Sequence, residues 1–571
     1  MIFLKKRMLL VSVLLSILLF VAACGKDSGG GESSAGGGGG DGEPQDGGTL
    51  RLAFGFEEFK STLIPGLATD AFNQNITRIL FDGLANEDGE LELEPRLAKE
   101  WELSDDNLSL HITLNEDAKW SDGEPITADD VLFSFNAFVS PAMLSLGGDG
   151  GSGLSTVKGY KEIQEGEEES FEDTGGFEKV SDSEFTIHLS ELDATSISNV
   201  LTMRPIPEHI LGDVAIDEWQ NNEYVQEPSV TSGPYYVKEL RKPTTTIMTA
   251  NEDYYLGKPH IDEIISEGVN VDVAPGLFAN GELDYMMKGF DVADVQNLEQ
   301  IDNTEVLAKP GDIFQYIGLK LYKPQFEDVN VRKALMYALP RELMLDSIYK
   351  GNGVLLNGPI TEIIGTHATE EDGIQPYEHD VDQANELLDE AGWEKDSDGN
   401  RIDPNTNEPA TLNLMYSQTS KPEQAIAESV QKYLGDIGIE ITLSPADSTS
   451  KSEKLQKDDP SIDMWIGAWG AIGDDPRGLW ETDAAYNWPR WEDEKNEELI
   501  KQTYATEDAF DEEKRKDTLI EWQLHVNEEL PMLFLWTYYD VAVKSERMNI
   551  PEKDLIDLGS LYNAHEWWLS Q

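Results

Sequence analysis

The stretch GAWGAIGDDPRGLWET, residues 467–482, sets Asp474 and Asp475 side by side in a glycine-rich turn between Trp469 and Trp480. Adjacent carboxylates in such a setting are candidates for ligand contact. Asp-Asp-Pro is also an ordinary turn, however, and tryptophans 465, 469 and 480 also suit a core. Other chemistries find little support. The eight histidines show no H-E-x-x-H or other close metal-ligand spacing. No G-x-S-x-G elbow and no G-K-[ST] phosphate loop occurs. DSDGNRID at 396–403 has its glycine at position four of a would-be calcium loop rather than six, so a hairpin turn is expected. The literal G-x-G-x-x-G at Gly148–Gly153 lacks a clear strand before it and a helix after it, and is read as a flexible loop. Counting does not decide on a glycoside-cleaving acid pair, because 110 acidic residues make chance pairs certain. No catalytic residue, metal or cofactor is expected.

The elements that would position the aspartates are legible. IDMWIGAWG at 462–470 is an apolar run bounded by a polar linker and glycines, a candidate buried strand. Asp474 and Asp475 follow its carboxyl end, where ligands bind in open α/β sheets. Upstream, TLNLMYS alternates Leu412, Leu414 and Tyr416, a helix PEQAIAESVQKYLGDIG follows, and IEITLS alternates again. That is a strand–helix–strand unit with parallel strands. DQANELLDEAGW carries Ala384, Leu387, Leu388 and Ala391 on one stripe and stops at Gly392. VNVRKALMYALPRELMLDSIYKG reads as two helices parted at Pro340. In TADDVLFSFNAF, Thr127 caps a helix with Asp130 as its box partner. NLSLHITL and SEFTIHLS are short alternating strands of a mixed or antiparallel sheet, and EIQEGEEESFEDTGG reads as a solvated acidic loop.

The chain opens with Lys5, Lys6 and Arg7, then runs uncharged from Met8 to Ala23. Sixteen residues fall short of the roughly 20 that span a bilayer. A basic start, a short apolar core and small residues before a cut site make an export signal, residues 1–23. The only cysteine, Cys24, would follow the cut, so no disulfide is expected. Removing three basic and no acidic residues moves the net charge from −67 to −70. That field repels nucleic acid and anionic headgroups. Residues 25–48, half of them glycine, form a tether with an end-to-end distance of about 27 Å.

VAAC resembles the lipobox of bacterial lipoproteins, which implies lipidation of Cys24 and anchoring at the extracellular face of the membrane. Four blocks in order, LFDGLANEDGELELEPRLAKEWELSDDNLSLHITLNEDAKWSDGEPITADDVLFSF, VTSGPYYVKEL with ANEDYYLGKPHIDEI, NVRKALMYALPRELMLDSIYKGNG and DVDQANELLDEAGW, resemble the family 5 extracellular solute-binding proteins of ABC importers. WGAIGDDPRGLW and YNWPRW look most like the oligopeptide-binding lipoproteins of Gram-positive bacteria. The chain departs from the family at Asn115, where a basic residue is usual, and in a shortened GDDP turn. The resemblance implies an α/β, bilobal periplasmic-binding-protein-like fold with mixed sheets, an extra inserted domain and a hinge. Lobe I would take residues 49–90, 208–310 and 536–571, the inserted domain 91–207, and lobe II 311–535. It also implies a monomer that binds an oligopeptide and hands it to an ABC permease and its ATPase subunits.

A receptor for varied peptides must grip their common features. A buried carboxylate suits the ammonium, other donors offset the desolvation, and backbone pairing supplies affinity independent of sequence. The resemblance implies that Asp475, directly before Pro476, takes the ammonium, with Asp474 as its rival, and Trp469 and Gly470 as wall and close approach. Phe56, Tyr316 and Trp488 are weaker candidates. Two alternatives stand beside this reading: the same receptor with a dipeptide, nickel chelate, oligosaccharide or signalling peptide, and an extracellular hydrolase.

Overall fold

In the computed structural model of this chain, the described residues are 43–55, 62–88, 92–287, 289–470, 473–555, 558 and 561–570. The expected export signal, Cys24, most of the expected tether and Phe56 lie outside them.

The strand–helix–strand unit forms where alternation gives way to helical spacing and back. Strand Thr411–Ser417 leads into helix Lys421–Asp436, whose cap Ser420 accepts from the Glu423 N–H at 3.2 Å. Strand Glu440–Ala446 then pairs parallel with the first, Thr411 to Glu440 through Ser417 to Ala446. Ile426, Ala427, Val430 and Leu434 turn one helix face into the core. Helices Val329–Ala338 and Arg341–Tyr349 part at Pro340, whose ring and missing N–H end the first. Thr127 and Asp130 form the capping box of helix Ala128–Val139. The acidic stretch after residue 160 departs from expectation. It forms short helices Tyr160–Gln164 and Phe171–Thr174, because Ile163 and Phe171 are buried and pin it down. Residues 148–153 likewise pack against the preceding helices: a Cβ at Gly148 would meet Met143 at 2.8 Å and one at Gly151 would meet Val139 at 2.9 Å.

Among the described residues, eleven strands share one mixed sheet. Two long antiparallel strands, Thr304–Leu319 and Met532–Ser545, run through its middle. Their pairing is continuous from Thr304–Ser545 to Pro310–Tyr539, breaks, and resumes from Phe314–Thr537 to Gly318–Met532. Pro310 has no N–H to donate, which favours the break at this point. On one side of the break the sheet continues through Tyr285–Met286, Thr49–Phe54 and Glu263–Gly268; on the other it continues through Met464–Trp469 and the strand–helix–strand unit.

The apolar residues gather into two cores that match these halves. One holds Leu50, Leu52, Ile76, Phe135 and Trp219; the other holds Phe314, Leu335, Leu414, Trp465, Trp522 and Trp536. A separate antiparallel sheet, Ala98–Leu103, Ser109–Leu114, Glu184–His188 and Phe177–Lys179 in that order, packs into the first core. The protein is therefore bilobal, with two strands passing between the lobes.

Candidate functional site

A cavity of about 1150 Å³ lies between the two lobes. One wall is helix Ala71–Leu80. Its Ile76 and Ile79 face the core, while Ala71, Gln74, Asn75 and Arg78, at helical spacing, line the cavity together with the edge of the buried Phe72. Thr195 and Ser198 extend this wall, and Asp312 and Asp540 on the two long strands form the floor. The opposite wall brings Gly473, Asp474 and Asp475 together with Phe510 and Arg515.

Both aspartates therefore reach the cavity, each with an arginine beside it. Arg515 forks onto Asp474: Nη2 donates to Oδ1 at 2.9 Å, Nη1 donates to Oδ2, and Nε donates to the Thr503 carbonyl at 3.0 Å. Asp475 accepts from Arg477 Nη2 at 2.7 Å and from its backbone N–H at 3.1 Å, the latter closing an Asx turn into helix Arg477–Trp480. Arg477 also crosses to the other lobe, where Nη1 donates to Asp193 Oδ2 at 2.6 Å and Nη2 to Thr195 Oγ1 at 2.5 Å. Its guanidinium stands 4.4 Å from the centre of the Tyr504 ring, and the Tyr504 carbonyl accepts from the Ala194 N–H at 2.8 Å. Burial opposes the charge on Arg477, but Asp475 and Asp193 outweigh it and hold the guanidinium above its ordinary pKa. On the first lobe's side, burial raises the Glu87 carboxyl above its usual range, and Asp474 across the cavity raises it further.

The remaining expected residues fall elsewhere. Tyr316 is buried opposite Gly467, edge-on to Trp465 at 6.4 Å, with its hydroxyl pushed up to about 12 by burial; it is a core residue and does not line the cavity. A Cβ at Gly467 would meet the Tyr316 ring at 2.4 Å, so that ring requires the glycine. Trp469 and Trp488 are half-buried and form a cluster with Tyr486, the Trp469 and Tyr486 centroids 4.6 Å apart; neither tryptophan lines the cavity. Gly470 does not line it either. It lets the chain pass Ile313, whose Cγ1 would stand 2.7 Å from an added Cβ. Trp480 is core, packed on Trp522 and Phe534. Residues 396–403 form the expected hairpin, bridged at Lys395 and Arg401, and no metal-holding cluster of His, Cys, Asp or Glu occurs among the described residues.

The sequence reading missed Arg78, Glu87, Arg477 and Arg515. Arg78 carried a signal, since it falls on the polar face of an amphipathic helix. Arg477 and Arg515 lie 2 and 41 residues from the aspartates they hold, and only folding reveals those pairings.

The family model for bacterial extracellular solute-binding proteins, family 5 middle, matches residues 92–489. This chain belongs to that family. The oligopeptide-binding protein AppA of Bacillus subtilis is 25% identical over 537 residues, 93% of each chain. The structure of AppA from Bacillus subtilis in complex with a nonapeptide superposes with a TM-score of 0.67 at 22% identity, over 93% of this chain and 100% of that one. The ABC transporter substrate-binding protein CtaP from Listeria monocytogenes superposes at 0.74 with 21% identity, over 92% and 100%. The bilobal fold is thus that of the family, and the interlobe cavity is the place where two lobes can enclose a solute.

Proposed function

We propose that this protein is the lipid-anchored, extracellular receptor of an ABC importer, capturing oligopeptides between its lobes and passing them to the permease without bond chemistry. The observation that carries this reading is the cavity itself. At about 1150 Å³ it exceeds the roughly 300–1,000 Å³ of most small-molecule sites, and it is walled by two lobes joined through two strands. The peptide-binding relatives support the choice of cargo.

A ligand shifts an open–closed equilibrium only by binding one state better, so it must touch both lobes. In our reading the ligand ammonium docks at the Asp474–Asp475 turn of the second lobe. The two arginines already there neutralise much of that charge, so the ammonium shares the carboxylates rather than taking one alone. The pairing break at Pro310 supports a lobe boundary at 310/311; we place the others at 90/91, 207/208 and 535/536. Cys24 holds the receptor on the membrane, and the glycine-rich tether gives it reach.

The test is thermal unfolding of the full-length protein in detergent, with and without a tryptic digest of casein. Binding to the folded state raises Tm by mass action, about 2.7 kcal/mol of stabilisation at a hundredfold excess over Kd. No rise with the digest, and a rise with a sugar, haem or nickel–histidine, would replace the cargo.

A further inference from the structure

The cations around the cavity are unevenly used. Arg515 is committed to Asp474 and the Thr503 carbonyl. Arg78, in the last turn of helix Ala71–Leu80, makes a long bond of 3.4 Å to Asn75 Oδ1 and lies 5.6 Å from the centre of the Tyr562 ring. Arg204 approaches the same ring at 5.4 Å; its Nη1 donates to the Thr202 carbonyl at 3.1 Å, while its Nε is buried without a hydrogen-bond partner among the described residues. Two guanidiniums on one tyrosine repel each other, and a buried charged donor left unpaired is costly. Glu87 senses both, yet forms no ion pair with either among the described residues. Arg78 thus lines the first lobe's side of the cavity with guanidinium donors that no carboxylate of the described residues takes up in an ion pair.

We infer that Arg78, backed by Tyr562 and Arg204, receives a carboxylate of the bound ligand, either its C-terminus or an acidic side chain. This rests on the peptide reading. The planar fork of Arg78 matches a carboxylate, and Tyr562 limits the rotamers the guanidinium can adopt. With the ammonium at Asp474–Asp475 on the second lobe and a carboxylate at Arg78 on the first, a zwitterion draws on both lobes, which is what closure requires. Glu87 is then a competitor for Arg78 when the cavity holds no ligand.

Three nonapeptide mixtures test this by native mass spectrometry on the full-length protein in detergent: free acids without Asp or Glu, the corresponding amides, and amides carrying one Glu. We expect the unaltered protein to prefer a carboxylate-bearing mixture about tenfold over plain amides. The favoured mixture tells terminal from side-chain carboxylate. Arg78→Gln abolishes the preference and still binds plain amides, which shows that the fold survives; Arg78→Lys restores part of it. Equal losses on all three mixtures, or an undiminished preference in Arg78→Gln, would overturn the inference while leaving peptide capture in place. If Arg78→Gln binds nothing, Glu87→Gln decides: tighter binding of the carboxylate-bearing mixture supports the assignment, and unchanged binding overturns it. Failure of the unaltered protein to bind any mixture would overturn the peptide reading and this inference together.

Discussion

Arg477 and Asp193, 284 residues apart in sequence, meet across the cleft with Nη1 to Oδ2 at 2.6 Å. Asp193 is almost wholly buried, its side chain 5% exposed. This contact ties the turn that carries the aspartates to the opposite lobe, and Arg477 joins Asp475 in the cavity wall to Asp193 across it.

Removing the cation leaves a buried carboxylate uncompensated. Arg477→Ala should therefore destabilise the protein by about 3 kcal/mol, the low end for a broken buried pair, because Thr195 still donates to Asp193. Asp193→Asn should cost less. Small-angle scattering of Arg477→Ala should show a larger radius of gyration than that of the unaltered protein; an unchanged radius would argue that the contact does not hold the lobes together.

Acetylating the peptide amino terminus should weaken binding about tenfold or more, since a charge-assisted bond is lost. Asp475→Asn loosens Arg477 as well, so the comparison belongs in an Arg477→Ala background. There, Asp475→Asn should weaken binding of free-amine peptides and leave N-acetylated ones unchanged. Equal loss on both would move the ammonium to Asp474 or elsewhere.

His565 gives the stability a pH dependence. It is buried, edge-on to Tyr254 at 5.1 Å, and burial lowers its pKa to about 4. The unfolded chain takes up this proton near pH 6.5, whereas the native state resists until about pH 4. The contribution is thus full above pH 6.5 and is lost as pH falls toward 4, about 3 kcal/mol in all. Urea unfolding of His565→Gln should show a flatter stability curve over that window; the same slope would place the effect in other groups.

Gly318 lies opposite Trp465 in the sheet, and an added Cβ would stand 2.1 Å from the indole. The ring is fully buried, so shifting it would disturb its packed neighbours. Gly318→Ala should cost about 1–3 kcal/mol through overpacking, read as a lower Tm.

The sequence conveyed the local elements well. Leu412, Leu414 and Ile441 alternate into one core, and the intervening helix presents Ile426, Val430 and Leu434, so the strand–helix–strand unit was legible from two periods alone. Thr304–Leu319 was harder to read, because Lys309-Pro310-Gly311-Asp312 resembles a turn. The chain in fact stays extended through it, and the partner strand carries the pairing past the break. Asp474 and Asp475 were expected to contact ligand from their position after a buried strand, and both line the interlobe cavity. Their arginines were not visible, since Arg515 approaches from a different helix and Arg477 spans two lobes. Tyr316 and Trp469 show the opposite limit: aromatic residues beside a site have the same composition whether they line it or support it.

The most direct measurement is native mass spectrometry of the full-length protein purified in detergent without added ligand, followed by gentle release of whatever it carries. Peptides within a narrow range of lengths are expected, retained by Arg477→Ala and weakened or lost when Asp475→Asn is added to it. A released sugar or metal chelate, or no peptide binding even after a random library is added, would contradict peptide capture.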